Sequence, residues 1–343
     1  MLGDTSAAPV QQAGFNTRRL GEALAEFASG PVNFHGLVIL RHGVLVAESY
    51  RTGRDRGLYQ LLLRKRRFDA SQLHDMRSVT RSVIGLLWGI AATQGKVPGM
   101  DTPVMALYPE LKRLALRGKE TVTVRHLLTN TCGLSWREIN AGTLFNHELR
   151  LYWRTYAPYL FRRPLATPPG MRFNYNGCCT SLLAELLAKH TGMTLTEFAR
   201  IHLFEPLGIT QWEWRKDLRG RPLAFSGLRL RPADLARIGQ FVLQRGQWQG
   251  RQLLPAAWVD EAIRPHVDTG DGRQYGYHWW LGKVDAIGRP HQWVGAIGNG
   301  GQRLYIVPAL DLAVAITAGA YNSHAISQHC TALLKKIAAA VEH

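Results

Sequence analysis

Apolar and polar positions follow a strand-like pattern near both ends of the chain and fall into helical spacing in the middle. After a short N-terminal helix, residues 35–40 read as a strand, Arg41-His42-Gly43 as a turn and residues 44–50 as the returning strand, which predicts a hairpin. A polar, basic loop is expected over residues 51–75, followed by a long apolar helix over 82–94. Residues 180–190 carry Leu182, Leu183, Leu186 and Leu187 at helical spacing, with Gly192 as the stop. Residues 232–244 repeat that style with Leu235, Ile238, Val242 and Leu243 on one side. In the last third, an aromatic-rich strand is expected over 275–281. Strands 302–307 and 312–317 flank the turn Pro308-Ala309-Leu310-Asp311, and a helix over about 323–341 closes the chain. Strands at both ends with helices between them predict an α+β architecture: one antiparallel sheet interrupted by a helical insertion. Residues 1–77 and 236–343 would form the sheet lobe and 78–235 the helical lobe, with a cleft where they meet.

With 343 residues, 46% of them hydrophobic, the chain is long enough to bury a large core. No apolar run approaches the ~18 residues needed to cross a bilayer. The first fifteen residues lack the basic start and apolar stretch of an export signal, so a cytoplasmic protein is expected. Four cysteines are too few for a disulfide scaffold, and adjacent Cys178 and Cys179 suit buried thiols better than a bridge. Thirteen histidines form no metal-binding spacing, so neither metal nor other cofactor is expected. The net charge is +17, densest at Arg64-Lys65-Arg66-Arg67, with a weaker cluster at Arg162-Arg163. Such a surface attracts nucleic acid, anionic membrane or an anionic substrate. The other arginines are scattered and no nucleic-acid module is recognisable, which argues against nucleic acid as the partner.

Three short segments can carry chemistry, and each has a plainer reading. In Arg77-Ser78-Val79-Thr80-Arg81-Ser82 the serine enters a helix, where serines commonly cap. There it also sits in a field that favours negative charge, with Arg81 on the same face one turn on. Phe173-Asn174-Tyr175-Asn176-Gly177 reads as a turn with a packed aromatic, or as a tyrosine hydroxyl that exchanges a proton with the serine. Gly298-Asn299-Gly300-Gly301-Gln302 reads as a β-turn, or as an edge where a substrate comes close enough for a backbone N–H to hold an oxyanion.

The order and spacing of these segments resemble the serine β-lactamase and penicillin-recognising family, closest to its class C-like esterases and 6-aminohexanoate-oligomer hydrolases. The resemblance runs from about Phe34 to Asn322. It takes in His74-Asp75-Met76-Arg77-Ser78-Val79-Thr80, Arg125-His126-Leu127-Leu128-Thr129-Asn130-Thr131-Cys132-Gly133-Leu134, Pro169-Gly170, Phe204-Glu205-Pro206-Leu207-Gly208, Tyr275-Gly276-Tyr277 and the glycine-rich segment. It implies a β-lactamase/transpeptidase-like fold and a serine hydrolase of a small ester or amide. Ser78 would form an acyl-enzyme, Tyr175 would shuttle the proton, and the N–H groups of Ser78 and Gln302 would hold the oxyanion. Asn176, Gly177, Asn299, Gly300, Gly301 and Gln302 would contact substrate. Asn299 falls where the family's third box has lysine, which argues against penicillin as preferred substrate.

Two departures bear on catalysis. Position 81 is Arg where the family has Lys, and arginine's pKa above ~12 bars it from acting as a general base. As a fixed cation it would instead be expected to lower the Tyr175 pKa, leaving tyrosine the sole base. Gly177 stands where the tyrosine box ends in Asn or Ser, with Asn176 or Cys178 as candidates to fill the gap. The alternative is a binding protein that keeps the cleft and has lost turnover. Trp136, Tyr152, Trp153 and Trp279 are expected in the cleft walls.

Overall fold

The computed structural model describes residues 7–114, 118–138 and 146–342; residues 1–6, part of the stretch read for an export signal, lie outside it. Its centre is an eight-stranded antiparallel sheet. Strand Phe34–Arg41 pairs on one side with Val44–Tyr50 and on the other with Leu312–Ala318, so the two ends of the chain meet. From Leu312–Ala318 the order continues through Gln302–Val307, Arg289–Gly298 and Trp280–Ala286 to the two-residue strands Gln274–Tyr275 and Val267–Asp268. Short turns join these neighbours, which is why successive strands run antiparallel.

The sheet is covered on both faces. Helices Thr17–Ser29 and Ala325–Ala339 close one apolar layer with Leu20, Phe27, Leu334 and Ile337. The other face meets helices Val79–Thr93, Gly177–Thr191 and Pro232–Leu243 in the larger core. Helix Val79–Thr93 is buried at every position from Val79 to Ala91, so it runs through the molecule as a hydrophobic axle. Gly89 lets the Trp258 indole lie where a Cβ would stand, 2.2 Å from its Nε1.

Most expected elements appear close to their expected bounds, and three differ. The basic stretch 51–75 is not a plain loop: Thr52–Asp55 and Arg64–Arg67 pair as a second hairpin. The aromatic strand is broken, with residues 276–279 forming a turn in which His278 has φ 62°. The strand Arg289–Gly298 was not expected, because two glycines and a proline blur its apolar alternation. All four cysteines are free and buried. No helix among the described residues is long and apolar enough to cross a membrane.

Candidate active site

Ser78 stands at the entry to helix Val79–Thr93 but makes no capping bond. The neighbouring threonine ties the turn instead: Thr80 donates its hydroxyl to Arg77 O at 2.6 Å and accepts the Leu228 N–H at 3.2 Å. Arg77 has φ 51°, a left-handed conformation that costs a non-glycine residue free energy. Across from this turn, a Cβ on Gly298 would lie 2.4 Å from Met76 O, so only glycine lets the end of strand Arg289–Gly298 pass so close to the serine. The Ser78 hydroxyl is left free for the cleft, which Tyr175 also lines.

Arg81 is almost fully buried and lies flat on Tyr175, its guanidinium carbon 3.9 Å from the ring centroid. Its Nη2 is 3.3 Å from a carboxylate oxygen of both Glu138 and Glu148, and its Nε donates to Phe225 O at 3.3 Å. Burial works against the Arg81 charge, but Tyr175 and the two carboxylates outweigh it and raise its pKa further. Burial likewise disfavours a charged Glu138. Arg81, Glu148, the Gly177 N–H at 2.5 Å and the Trp136 indole N–H at 3.0 Å prevail, so its pKa falls below the usual carboxylate range. A Cβ on Gly177 would lie 3.3 Å from both Arg81 Nη2 and Phe225 Cβ. A side chain at this position of the tyrosine box would thus crowd the larger guanidinium and Phe225.

The expected lowering of the Tyr175 pKa is reversed. Burial raises it, and Glu138 and Glu148 add to the rise; Arg81 and the Ser78 hydroxyl pull the other way and do not win. Burial of the phenol is the leading cause, and it outweighs the Arg81 field.

Around this centre is a cleft of about 500 Å³. Ser78, Arg81, Tyr175, Asn299 and Gly300 line it together; Asn176, Gly177, Gly301 and Gln302 do not. Asn176 is fully buried and caps helix Gly177–Thr191, accepting the N–H groups of Cys178 at 2.8 Å and Cys179 at 3.3 Å. Gln302 is buried with its amide on Ala318 O, and the chain that meets the cleft is the preceding Ile297–Gly298–Asn299–Gly300. The Gln302 side chain therefore lies outside the cleft. Asn299 exchanges two 2.8 Å hydrogen bonds with Asn322. Beneath this turn, buried Arg303 donates to Gly298 O at 2.7 Å and Gln302 O at 2.9 Å. Of the aromatics, Tyr152 lines the cleft; Trp136 supports Glu138, Trp153 is exposed, Trp279 is core, and the wall position falls to Trp280. Glu138 and Glu148, which the sequence reading missed, carry no motif; a buried arginine in the serine box was the one hint that acids must lie near it. No group of three or more His, Cys, Asp or Glu side chains among the described residues is placed to hold a metal ion.

A sheet closed by both chain ends, a serine turn pressed against the end of one of its strands and a tyrosine loop facing that serine define the β-lactamase/transpeptidase-like class of fold. Residues 35–338 match the Beta-lactamase family model, and the chain belongs to that family, whose members include amidases and esterases. It is 24% identical over 295 residues to a 6-aminohexanoate-dimer hydrolase of Paenarthrobacter ureafaciens, covering 80% of this chain and 69% of the relative. A family VIII carboxylesterase shares the fold with TM-score 0.72 at 15% identity, over 94% of this chain and 96% of that one. A penicillin-binding protein homologue of Caulobacter crescentus does so with TM-score 0.70 at 17% identity, over 98% and 97%.

Proposed function

We propose that this protein is a serine hydrolase that cleaves a small ester or amide through an acyl-enzyme on Ser78, with Tyr175 as proton shuttle. The observation that carries the reading is the uncapped Ser78 hydroxyl, which lines the same cleft as Tyr175. Ser78 Oγ attacks the acyl carbon while its proton passes to the Tyr175 phenolate; Tyr175 then protonates the departing alkoxide or amine. Water reverses the same exchange to release the acid. Arg81 stays a cation and acts beneath the ring, never as base. The Ser78 N–H and an N–H of the 297–300 segment, in place of Gln302, suit the oxyanion. The names of the hydrolase and carboxylesterase relatives support amide or ester as the bond cleaved.

The closed Arg81–Glu138–Glu148 cluster favours a second reading, a binding protein without turnover. A fluorophosphonate probe separates the two. It should label the wild type at alkaline pH and leave Ser78→Ala unlabelled; no labelling of the wild type would leave the binding protein as the answer.

A further inference from the structure

We propose that the hairpin of Thr52–Asp55 and Arg64–Arg67 docks this protein on an anionic lipid surface. Its connecting loop presents Leu61, Leu62 and Leu63 at 90, 69 and 54% exposure, three successive leucines open to water. Single exposed leucines are ordinary; a contiguous apolar tip marks an interaction site. Arg64, Lys65, Arg66 and Arg67 come directly after, all four exposed, and none forms an ion pair among the described residues.

The apolar rim extends beyond the tip. Tyr59, half exposed in the same loop, meets the Tyr152 ring edge-on at 6.1 Å and bonds Lys216 O. Exposed Leu218, two residues from that lysine, donates its N–H to Tyr152 O at 3.0 Å, and exposed Trp153 is next in the chain after Tyr152. The loop that carries the leucines and leads into the cations also reaches the cleft, whose wall includes Leu58 of this loop and Tyr152.

This combination sets the chemistry of the occupant. Nucleic acid would reward the cations but gains nothing from three exposed leucines. A second copy of the chain would bring four cations against four. An anionic bilayer rewards both features: leucines enter the boundary between headgroups and acyl chains, the cations lie on phosphates, and interfacial aromatics sit between. Docking of this kind is independent of turnover at Ser78, and it sets the cleft mouth beside the lipid.

Flotation with vesicles tests it, using the full chain and phosphatidylcholine either alone or with a quarter phosphatidylglycerol. The wild type should float only with the anionic vesicles, and less at high salt. The variant Leu61→Ser/Leu62→Ser/Leu63→Ser should bind at least about tenfold more weakly, since each leucine side chain contributes apolar area. Replacing Arg64, Lys65, Arg66 and Arg67 together by Gln should weaken binding at least about a hundredfold. All seven positions are exposed, so unchanged thermal midpoints show that the fold is kept. No flotation with anionic vesicles overturns the proposal. So does a leucine variant that binds like the wild type, which would leave only the diffuse attraction of a +17 chain. Duplex DNA outcompeting the vesicles would overturn it in favour of nucleic acid.

Discussion

At the scale of single residues, the site turns on how tightly the Tyr175 phenol holds its proton. Burial, with Glu138 and Glu148 adding to it, makes that hold tighter than in a free tyrosine, against the pull of Arg81. A phenolate base then needs alkaline solution, and the rate of Ser78 labelling should climb steadily with pH above neutrality. Glu148→Gln removes one of the two charges that raise the phenol. If Tyr175 is the base, this variant should label about threefold to tenfold faster at pH 8, because removing a like charge lowers the pKa by up to about a unit. If the cluster matters only as scaffold, losing a carboxylate beside buried Arg81 should slow labelling instead. The opposite signs make the stopped-time labelling assay decisive. Arg81 and Gly177 also cease to be two separate losses. A side chain at 177 would crowd the larger cation, and Glu138 accepts from both that guanidinium and the Gly177 N–H.

At the scale of elements, the tyrosine loop is anchored by the helix it leads into. Asn176 caps helix Gly177–Thr191 with two bonds to backbone N–H groups, and its own N–H donates to Asn130 Oδ1 at 3.2 Å. Losing such a cap costs about 1–2 kcal/mol. Asn176→Ala should therefore lower the thermal midpoint by roughly 1.5–3 °C for a chain of this size, readable by calorimetry. Because Tyr175 precedes the cap, labelling of Ser78 should slow as well. Element boundaries were largely legible in the sequence: the returning hairpin, the leucine-rich helix ended by Gly192 and the last two strands rest on periodicities that act over a few residues. Strand Arg289–Gly298 and the second hairpin were not. Glycine and proline hide the alternation of the first, and four successive charges hide the second, so each needs its partner strand to declare it.

At the scale of the whole molecule, three histidines tie stability to pH. Burial is the leading cause in each: His35 is held down to about 4, and His74 and His278 to about 3. His35 stacks on Phe68 at 3.9 Å and lies 5.6 Å from His74, so a proton on either repels the other. The folded state keeps these rings neutral, whereas the unfolded chain protonates them near 6.5. Stability is thus whole above about pH 6.5 and is lost as pH falls from there toward 4, by up to about 1.4 kcal/mol per unit for each ring. Denaturant midpoints measured from pH 7.5 to 5 should fall steeply below 6; a flat profile would contradict the burial of these rings.

By itself the sequence determined the class of fold, the ordered segments of the family and the location of Ser78 and Tyr175 at a turn and a helix entry. Those features depend on residue type and spacing along the chain. Tertiary structure alone decided what surrounds them: carboxylates 57 and 67 residues from Arg81 close on its guanidinium. It turned Asn176 into a cap, buried the Gln302 side chain against Ala318 O and gave the cleft Trp280 in place of Trp279. The physical reason is range. Periodicity and turn sterics act between near neighbours, but a buried charge must find its counter-ion wherever the chain returns, and no local spacing records that meeting.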